Sequence, residues 1–284
     1  MHRLMLWVAL AASAAAAEAP LLERARELYN RTEYDAALKI LASVAYKDSA
    51  FYLLRGQCYY MQGDARKASE LFLKAVELEP ANSDRRMWLG RAYGRRAETS
   101  SFFTAPGYAT KARDNFEKAV QLNPRNMEAI SDLFEYYMDA PGFLGGGLDK
   151  AAALARRIGE LNPAEGHWAQ ARLAEKRKEY QKAEQQFRSA ADLAPRQIGR
   201  VIDLAKFLAK AGRYQESEEA FRRAERIDPN APKLLFERAS IYIRTGRNLE
   251  LARQLLKRYL EASLTPDDPP RERAEKLLKS ASSS

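Results

Sequence analysis

The sequence predicts an all-α solenoid of antiparallel helix pairs closed by a C-terminal capping helix. Three observations carry that prediction. Small and bulky side chains recur in one fixed order, Ala, Leu, Glu, Arg and Lys dominate the composition, and proline falls where the recurring blocks end. These residue types favour helix, and the prolines stop it.

The chain has 284 residues, 46% hydrophobic and 30% charged, enough for one or two folded domains. Met1-His2-Arg3 is a short basic start, followed by an apolar run from Leu4 to Ala17 and then Glu18-Ala19-Pro20. So short a run spans a bilayer poorly, and its small-residue end fits signal-peptidase cleavage. Residues 1–17 are therefore expected to be a signal peptide, cut after Ala17 because a cut after Ala19 would leave Pro20 first. An uncleaved anchor is the competing reading. The expected location is exported, periplasmic or extracellular, in or around a bacterial envelope. Cys58 is the only cysteine, so no intrachain disulfide forms. The net charge of +9 permits nucleic acid, an anionic membrane or acidic proteins and selects none of them.

Residues 18–264 hold the recurring ladder. From Gly56 it reads Gly56, Tyr59, Gly63, Ala68, Phe72, Ala75, Pro80. It returns as Gly90, Tyr93, Ala112, Phe116, Ala119, Pro124; as Ala171, Ala174, Ala183, Phe187, Ala190, Pro195; and as Ala205, Leu208, Gly212, Ser217, Phe221, Ala224, Pro229. Weaker copies are Phe134, Tyr137, Ala151, Ile158, Pro163 and Ala239, Tyr242, Gly246, Ala252, Leu256. An incomplete first copy is Ala25, Leu28, Tyr34, Ala37, Leu41. Small residues such as Gly56 and Ala68 let two antiparallel helices approach, while Tyr59 and Phe72 fill the space between neighbouring pairs. Gly63 permits the turn and Pro80 ends the second helix. One pair cannot bury its own apolar face, so about seven pairs are expected to stack around a concave inner wall. Residues 265–284 supply a polar lid: "PPRERAEKLLKSA" from Pro269 reads as a capping helix with Leu277 and Leu278 inward, before a frayed Ser-rich tail.

In its order of small, large, turn, Ala, aromatic, Ala and Pro, the chain resembles the tetratricopeptide repeat family over nearly all of residues 18–264. The resemblance implies a right-handed superhelix acting as a protein-interaction scaffold. Certain co-chaperones of the family clamp a terminal dicarboxylate with Lys and Asn on the inner wall. This chain places basic residues there and no Asn.

Two pairs have lengthened connections. One lies in residues 97–110, "AETSSFFTAPGYAT", and the other in residues 139–150, within "DAPGFLGGGLDKA". The glycines of the second raise the question of a phosphate cradle. A phosphate loop follows a strand and ends in Gly-Lys-Ser/Thr, whereas a helix precedes this one and Leu148-Asp149 follow. It is read as a longer helix–helix turn. Both insertions carry Ala-Pro-Gly-aromatic and are expected side by side on one edge, with Phe102, Phe103, Tyr108 and Phe143 as a candidate binding edge. The plainer alternative is that these rings pack under their own loops.

The inner wall falls one and five places after the small residue of each first helix. These positions hold Arg91 and Arg95, Glu135 and Asp139, Arg172 and Lys176, Lys206 and Lys210, then Ser240 and Arg244, with Tyr60, Trp168 and Phe236 as apolar contacts. Like charges four apart on a helix cost ~0.2–0.5 kcal/mol, so their repetition asks for a reason. One reason is a basic groove that grips carboxylates of a partner. The other is an ion-pair ladder from Arg91/Arg95 through Glu135/Asp139 to Arg172/Lys176, which leaves Lys206, Lys210 and Arg244 unmatched.

Catalytic chemistry is absent from the pattern. After cleavage His167 is the one histidine, which rules out a His-pair metal site, and Cys58 among large apolar neighbours reads as a buried inert thiol. No enzyme activity, metal or cofactor is expected. The expected function is docking of a protein or peptide partner of acidic character, without nucleic acid and without lasting membrane insertion after cleavage; self-association stays open. The alternative is a small-ligand receptor, with the two Ala-Pro-Gly loops as a lip over an apolar pocket near Tyr60, Tyr93 and Tyr137.

Overall fold

The computed structural model describes residues 19–282, so the expected signal segment lies outside the described residues. Among these the regular elements are all helical. In order they are α1 (19–30), α2 (Tyr34–Ala42), α3 (Ser49–Met61), α4 (Ala65–Leu78), α5 (Ser83–Thr99), α6 (Ala105–Leu122) and α7 (Met127–Asp139). A short 3₁₀ turn (Gly142–Leu144) leads to α8 (Leu148–Leu161), α9 (Pro163–Lys176), α10 (Tyr180–Leu193) and α11 (Ile198–Lys210). The chain continues through α12 (Tyr214–Ile227), α13 (Pro232–Thr245), α14 (Leu249–Glu261) and α15 (Arg271–Ser282). The described residues form two compact units, 19–151 and 152–282, divided within α8. The fold class is the expected all-α solenoid of helix pairs.

The ladder residues are the core of each unit. Ala68, Phe72, Ala75, Ala112, Phe116 and Ala119 are buried in the first, and Ala183, Phe187, Ala190, Ser217, Phe221 and Ala224 in the second. Ser217 stands where its sisters are alanine, and its hydroxyl donates to the Ala205 carbonyl at 2.8 Å, so the polar atom is satisfied. Phe72 lies directly over Gly56, where a β-carbon would meet its ring at 2.6 Å, and Phe116 lies over Gly90 in the same way. The ring thus fills space within its own pair as well as the expected space between pairs. In the next pair it shares a cluster with Leu89 and Ala92 and meets Trp88 at 5.7 Å between ring centroids.

Side chains at the helix starts define the two edges of the first unit. Ser49 Oγ donates to the Ala75 carbonyl at 3.1 Å, Ser83 Oγ to the Ala119 carbonyl at 2.9 Å, and Arg85 Nε to Ser49 Oγ at 2.9 Å. First-helix N-termini and second-helix C-termini therefore share one edge, and the turns within pairs lie on the other. Asp64 caps α4 at that turn edge. The Lys67 backbone N–H, 2.9 Å from its carboxylate, holds the Asp64 carboxyl below the usual range.

The five tight turns within pairs repeat one conformation. Gly63, Gly212 and Gly246 have φ of +83°, +76° and +64°, as the ladder requires of the turn glycine. Thr32 and Lys178 occupy the equivalent place at φ of +61° and +62°. A side chain there is strained by roughly 1–2 kcal/mol, part of which a glycine returns as unfolded-chain entropy. Lys178→Gly is accordingly expected to stabilise the second unit by about 1 kcal/mol. Urea unfolding followed by circular dichroism checks this; a midpoint that stays put or falls would contradict the strain.

The insertion at 97–110 differs from its expected form. It lengthens α5 and α6 to 17 and 18 residues instead of making a long loop, and only residues 100–104 connect them. Pro106 sits in the first turn of α6, where its fixed φ starts a helix. The connection at 140–147 is a lengthened turn, as read. Its N–H groups are consumed internally: Gly145 to Gly142 O at 2.9 Å, Gly146 to Pro141 O at 3.2 Å, and Gly147 to Tyr137 O at 2.9 Å. A β-carbon on Gly146 would fall 1.8 Å from Ala140 O. Gly146 serves a close backbone approach and Gly145 a left-handed φ of +87°, and the bonded donors of Gly145, Gly146 and Gly147 are not turned toward a phosphate.

At the far end, α15 closes the core of α13 and α14. Ala274 is buried there, and Leu277 and Leu278 pack partly against Leu256, Tyr259 and their neighbours.

Candidate functional site

In the second unit α9, α11 and α13 bring Arg172, Lys206, Lys210 and Arg244 to one cavity of about 270 Å³. Glu175 and Asp203 share its wall, and Phe187 and Phe207 form its apolar part. Four cations face two carboxylates. Lys176, expected on the same wall, does not line it.

The structure assigns partners that the repeat spacing left unmatched. Lys206 Nζ is 3.0 Å from Glu237, and Lys210 Nζ is 2.6 Å from Glu175. Arg172 lies over Trp168 at 5.5 Å, and Arg200 stands 4.7 Å from the same ring, so Trp168 is a platform for guanidinium groups. Burial pushes the Asp203 carboxyl up, opposed by Arg200, Lys233, Lys206 and Arg172. Arg244 is exposed and has no ion-pair partner among the described residues. Phe236, expected as an apolar wall contact, is 1% exposed and belongs to the core beneath α15.

The first unit has a different inner wall. Tyr60, Arg91, Arg95, Glu98, Asp132, Glu135, Tyr136 and Asp139 line a cavity of about 320 Å³. Arg91 meets Asp132 at 2.6 Å and Glu128 at 3.1 Å, and lies over Trp88 at 4.8 Å. Arg95 stands 3.7 Å from Glu98 and over Tyr60 at 5.7 Å. Burial raises the Asp132 carboxyl, and Arg91 opposes that shift. With four carboxylates and two guanidiniums, this wall is not basic. The single basic groove expected from the sequence is therefore confined to the second unit.

One register accounts for three of the acceptors. Asp132, Asp203 and Glu237 each stand two places before the small-residue position of their helix. Arg91 and Lys206, one place after that position in the preceding pair, bond to Asp132 and Glu237, and Arg172 exerts its field on Asp203. These residues are acceptors of the inter-repeat ladder, together with Glu128, which also receives Arg91, and Glu175, which receives Lys210. Glu135 and Asp139, expected to receive Arg91 and Arg95, are not what those two arginines bond. The missed signal was the recurrence of Asp or Glu at that one position.

The two Ala-Pro-Gly segments do not form matching lips. Ala105 to Tyr108 is the first turn of α6, and Tyr108 stacks on Tyr93 at 6.2 Å, with Arg96 4.0 Å from its ring. Tyr137 donates to Glu117 at 2.7 Å, and the cavity beside Tyr60 is charged. Tyr93 and Tyr137 do not line the cavity beside Tyr60. Packing under the loop holds for Tyr108 and fails for Phe102, Phe103 and Phe143, which are 86%, 91% and 82% exposed.

Cys58 is fully buried, and burial pushes its thiol up to about 12. His167 Nδ1 is 2.6 Å from Gln186 Oε1, a packing role.

Comparison with known proteins agrees with this architecture. The tetratricopeptide repeat family matches residues 49–82 and 202–269. A tetratricopeptide repeat protein from Parabacteroides merdae is similar at 17% identity and a TM-score of 0.60, over 93% of this chain and 98% of that one. A thermophilic TPR protein of Thermus thermophilus is similar at 23% identity and a TM-score of 0.56, over 67% of this chain and 98% of that one. Comparison with curated proteins gives no match. Buried ladder residues, left-handed turn positions and both matched segments converge: residues 49–82 and 202–269 are tetratricopeptide repeats, and the chain has the fold of tetratricopeptide repeat proteins.

Proposed function

We propose that this protein is an exported, non-enzymatic scaffold whose second unit docks an acidic segment of a partner protein between α9, α11 and α13. The carrying observation is the convergence of Arg172, Lys206, Lys210 and Arg244 on one cavity with only two carboxylates. Lys210 stays 69% exposed despite its bond to Glu175, and Arg244 is uncommitted, so both offer donors to incoming carboxylates. Phe187 and Phe207 give a docked segment an apolar floor. A repeat array presents such a wall on rigid helices, so little ordering is lost when a partner docks. Export rests on the basic-apolar-small pattern of residues 1–17.

Selection from a random displayed peptide library tests the site. Enrichment of Asp- and Glu-rich peptides is expected, weakening as salt rises. Lys206→Glu with Lys210→Glu and Arg244→Glu is expected to lower affinity for those peptides by at least about tenfold, because attraction becomes repulsion. Enrichment of basic or purely apolar sequences, or affinity untouched by the triple change, would overturn the assignment.

A further inference from the structure

The α5–α6 hairpin of the first unit carries a feature that partner docking in the second unit does not use. Its helices have 17 and 18 residues, where α3 and α4 have 13 and 14. The four extra residues on each helix extend the pair by about 6 Å on the turn edge. On its other side, the α7–α8 connection meets α6 at Arg113, whose Nη1 donates to Leu144 O at 3.1 Å. Arg113 lies eight residues into α6, so the tip projects about 12 Å past that contact. The Tyr93–Tyr108 stack and the Arg96–Tyr108 hydrogen bond brace the hairpin behind its end.

Phe102 and Phe103 stand on this tip, 86% and 91% exposed. Their rings meet each other edge to face at 5.9 Å. Scattered exposed apolar residues are ordinary, but an adjacent phenyl pair on the end of a braced projection is not. Around it the chain is free of acid from Thr99 to Arg113, while the exposed Lys111 follows and Ser100, Ser101 and Thr104 flank the rings. This sequence of chemistries matches an anionic bilayer surface: rings for the acyl boundary, hydroxyls for the headgroups, and the Lys111 ammonium for a phosphate. A convex tip also needs no shaped receptor when the receiving phase is fluid.

We propose that the α5–α6 tip is a peripheral lipid anchor, with Phe102 and Phe103 entering the interface of an anionic bilayer while the rest of the unit stays outside. It is independent of the acidic-partner site. The test uses the full chain carrying Phe103→Cys labelled with an environment-sensitive nitrobenzoxadiazole dye; Cys58 is buried with its thiol pushed up to about 12 and resists labelling. The reference is Glu77→Cys, near the C-terminus of α4 on the opposite edge.

With phosphatidylglycerol–phosphatidylcholine vesicles, the dye at residue 103 is expected to brighten, shift to the blue and be quenched by spin-labelled lipid. The dye at residue 77 is expected to stay in water. Adding Phe102→Ser should weaken the partition of the tip by roughly tenfold, and replacing the anionic lipid by phosphatidylcholine alone should weaken it further. Vesicle binding without a shift at residue 103 would place adhesion in the apolar run of residues 4–17 and overturn the proposal. A shift that grows with protein concentration in the absence of lipid would assign the tip to a second copy and overturn it equally.

Discussion

Gly166→Ala is expected to destabilise the second unit by about 3 kcal/mol or more, while Gly159→Ala changes it little. The two glycines face each other where α8 crosses α9, but the approach is lopsided. A β-carbon on Gly166 would fall 2.2 Å from Gly159 Cα and 2.8 Å from its nitrogen. One on Gly159 would meet Gly166 Cα at an ordinary 3.5 Å. Overpacking in a core typically costs ~1–3 kcal/mol when a side chain can shift to another rotamer. Here the obstacle is main chain, so relief requires the two helices to separate along their shared apolar face. Urea unfolding gives the size of the loss, and amide exchange shows whether it falls on α8 and α9. Equal effects from the two substitutions would disprove the asymmetric crossing.

The second large effect is a coupling between Gly56 and Phe72. Phe72→Ala removes a ring that is fully buried, with an expected cost of about 3–5 kcal/mol. Gly56→Ala alone drives a methyl group into that same ring, at 2.6 Å, and is expected to cost about 1–3 kcal/mol. Gly56→Ala combined with Phe72→Leu should cost less than the sum of its single changes, by about 0.5–3 kcal/mol, because the smaller side chain makes room for the methyl. A double-mutant cycle by denaturant unfolding measures the difference. Simple additivity would mean that the two positions do not share the space described.

Much of the core was legible because its constraint is local. Ala68, Phe72 and Ala75 recur at helical spacing, and one face of one helix suffices to say that they are inward. The turn glycines were legible for a similar reason, since φ above zero selects glycine without reference to the rest of the fold. Lys178 shows the limit: the turn has the same backbone there without the residue that announces it.

The inner wall was legible only in half. The positions of Arg172, Lys206, Lys210 and Arg244 followed from spacing, and the structure brings all four to one cavity. Their charges are offset by Glu175, Asp203 and Glu237, which lie on the same or adjoining pairs in another register. A charge's partner is fixed by inter-helix distance, to which the spacing within one helix is blind. For this reason the first unit's wall proved acidic where the pattern of Arg91 and Arg95 suggested otherwise.

The sequence by itself determined the helix pairs, their buried rungs, their turn glycines and the kind of repeat, since each depends on side-chain size recurring at a fixed period. Only the tertiary structure decided that residues 97–110 extend two helices, that Phe102 and Phe103 stand bare on their tip, and which carboxylate neutralises which cation. Those outcomes depend on how far one helix reaches beyond its neighbours and how near two of them pass. Periodicity fixes direction around a helix; distance between helices is set by everything packed against them.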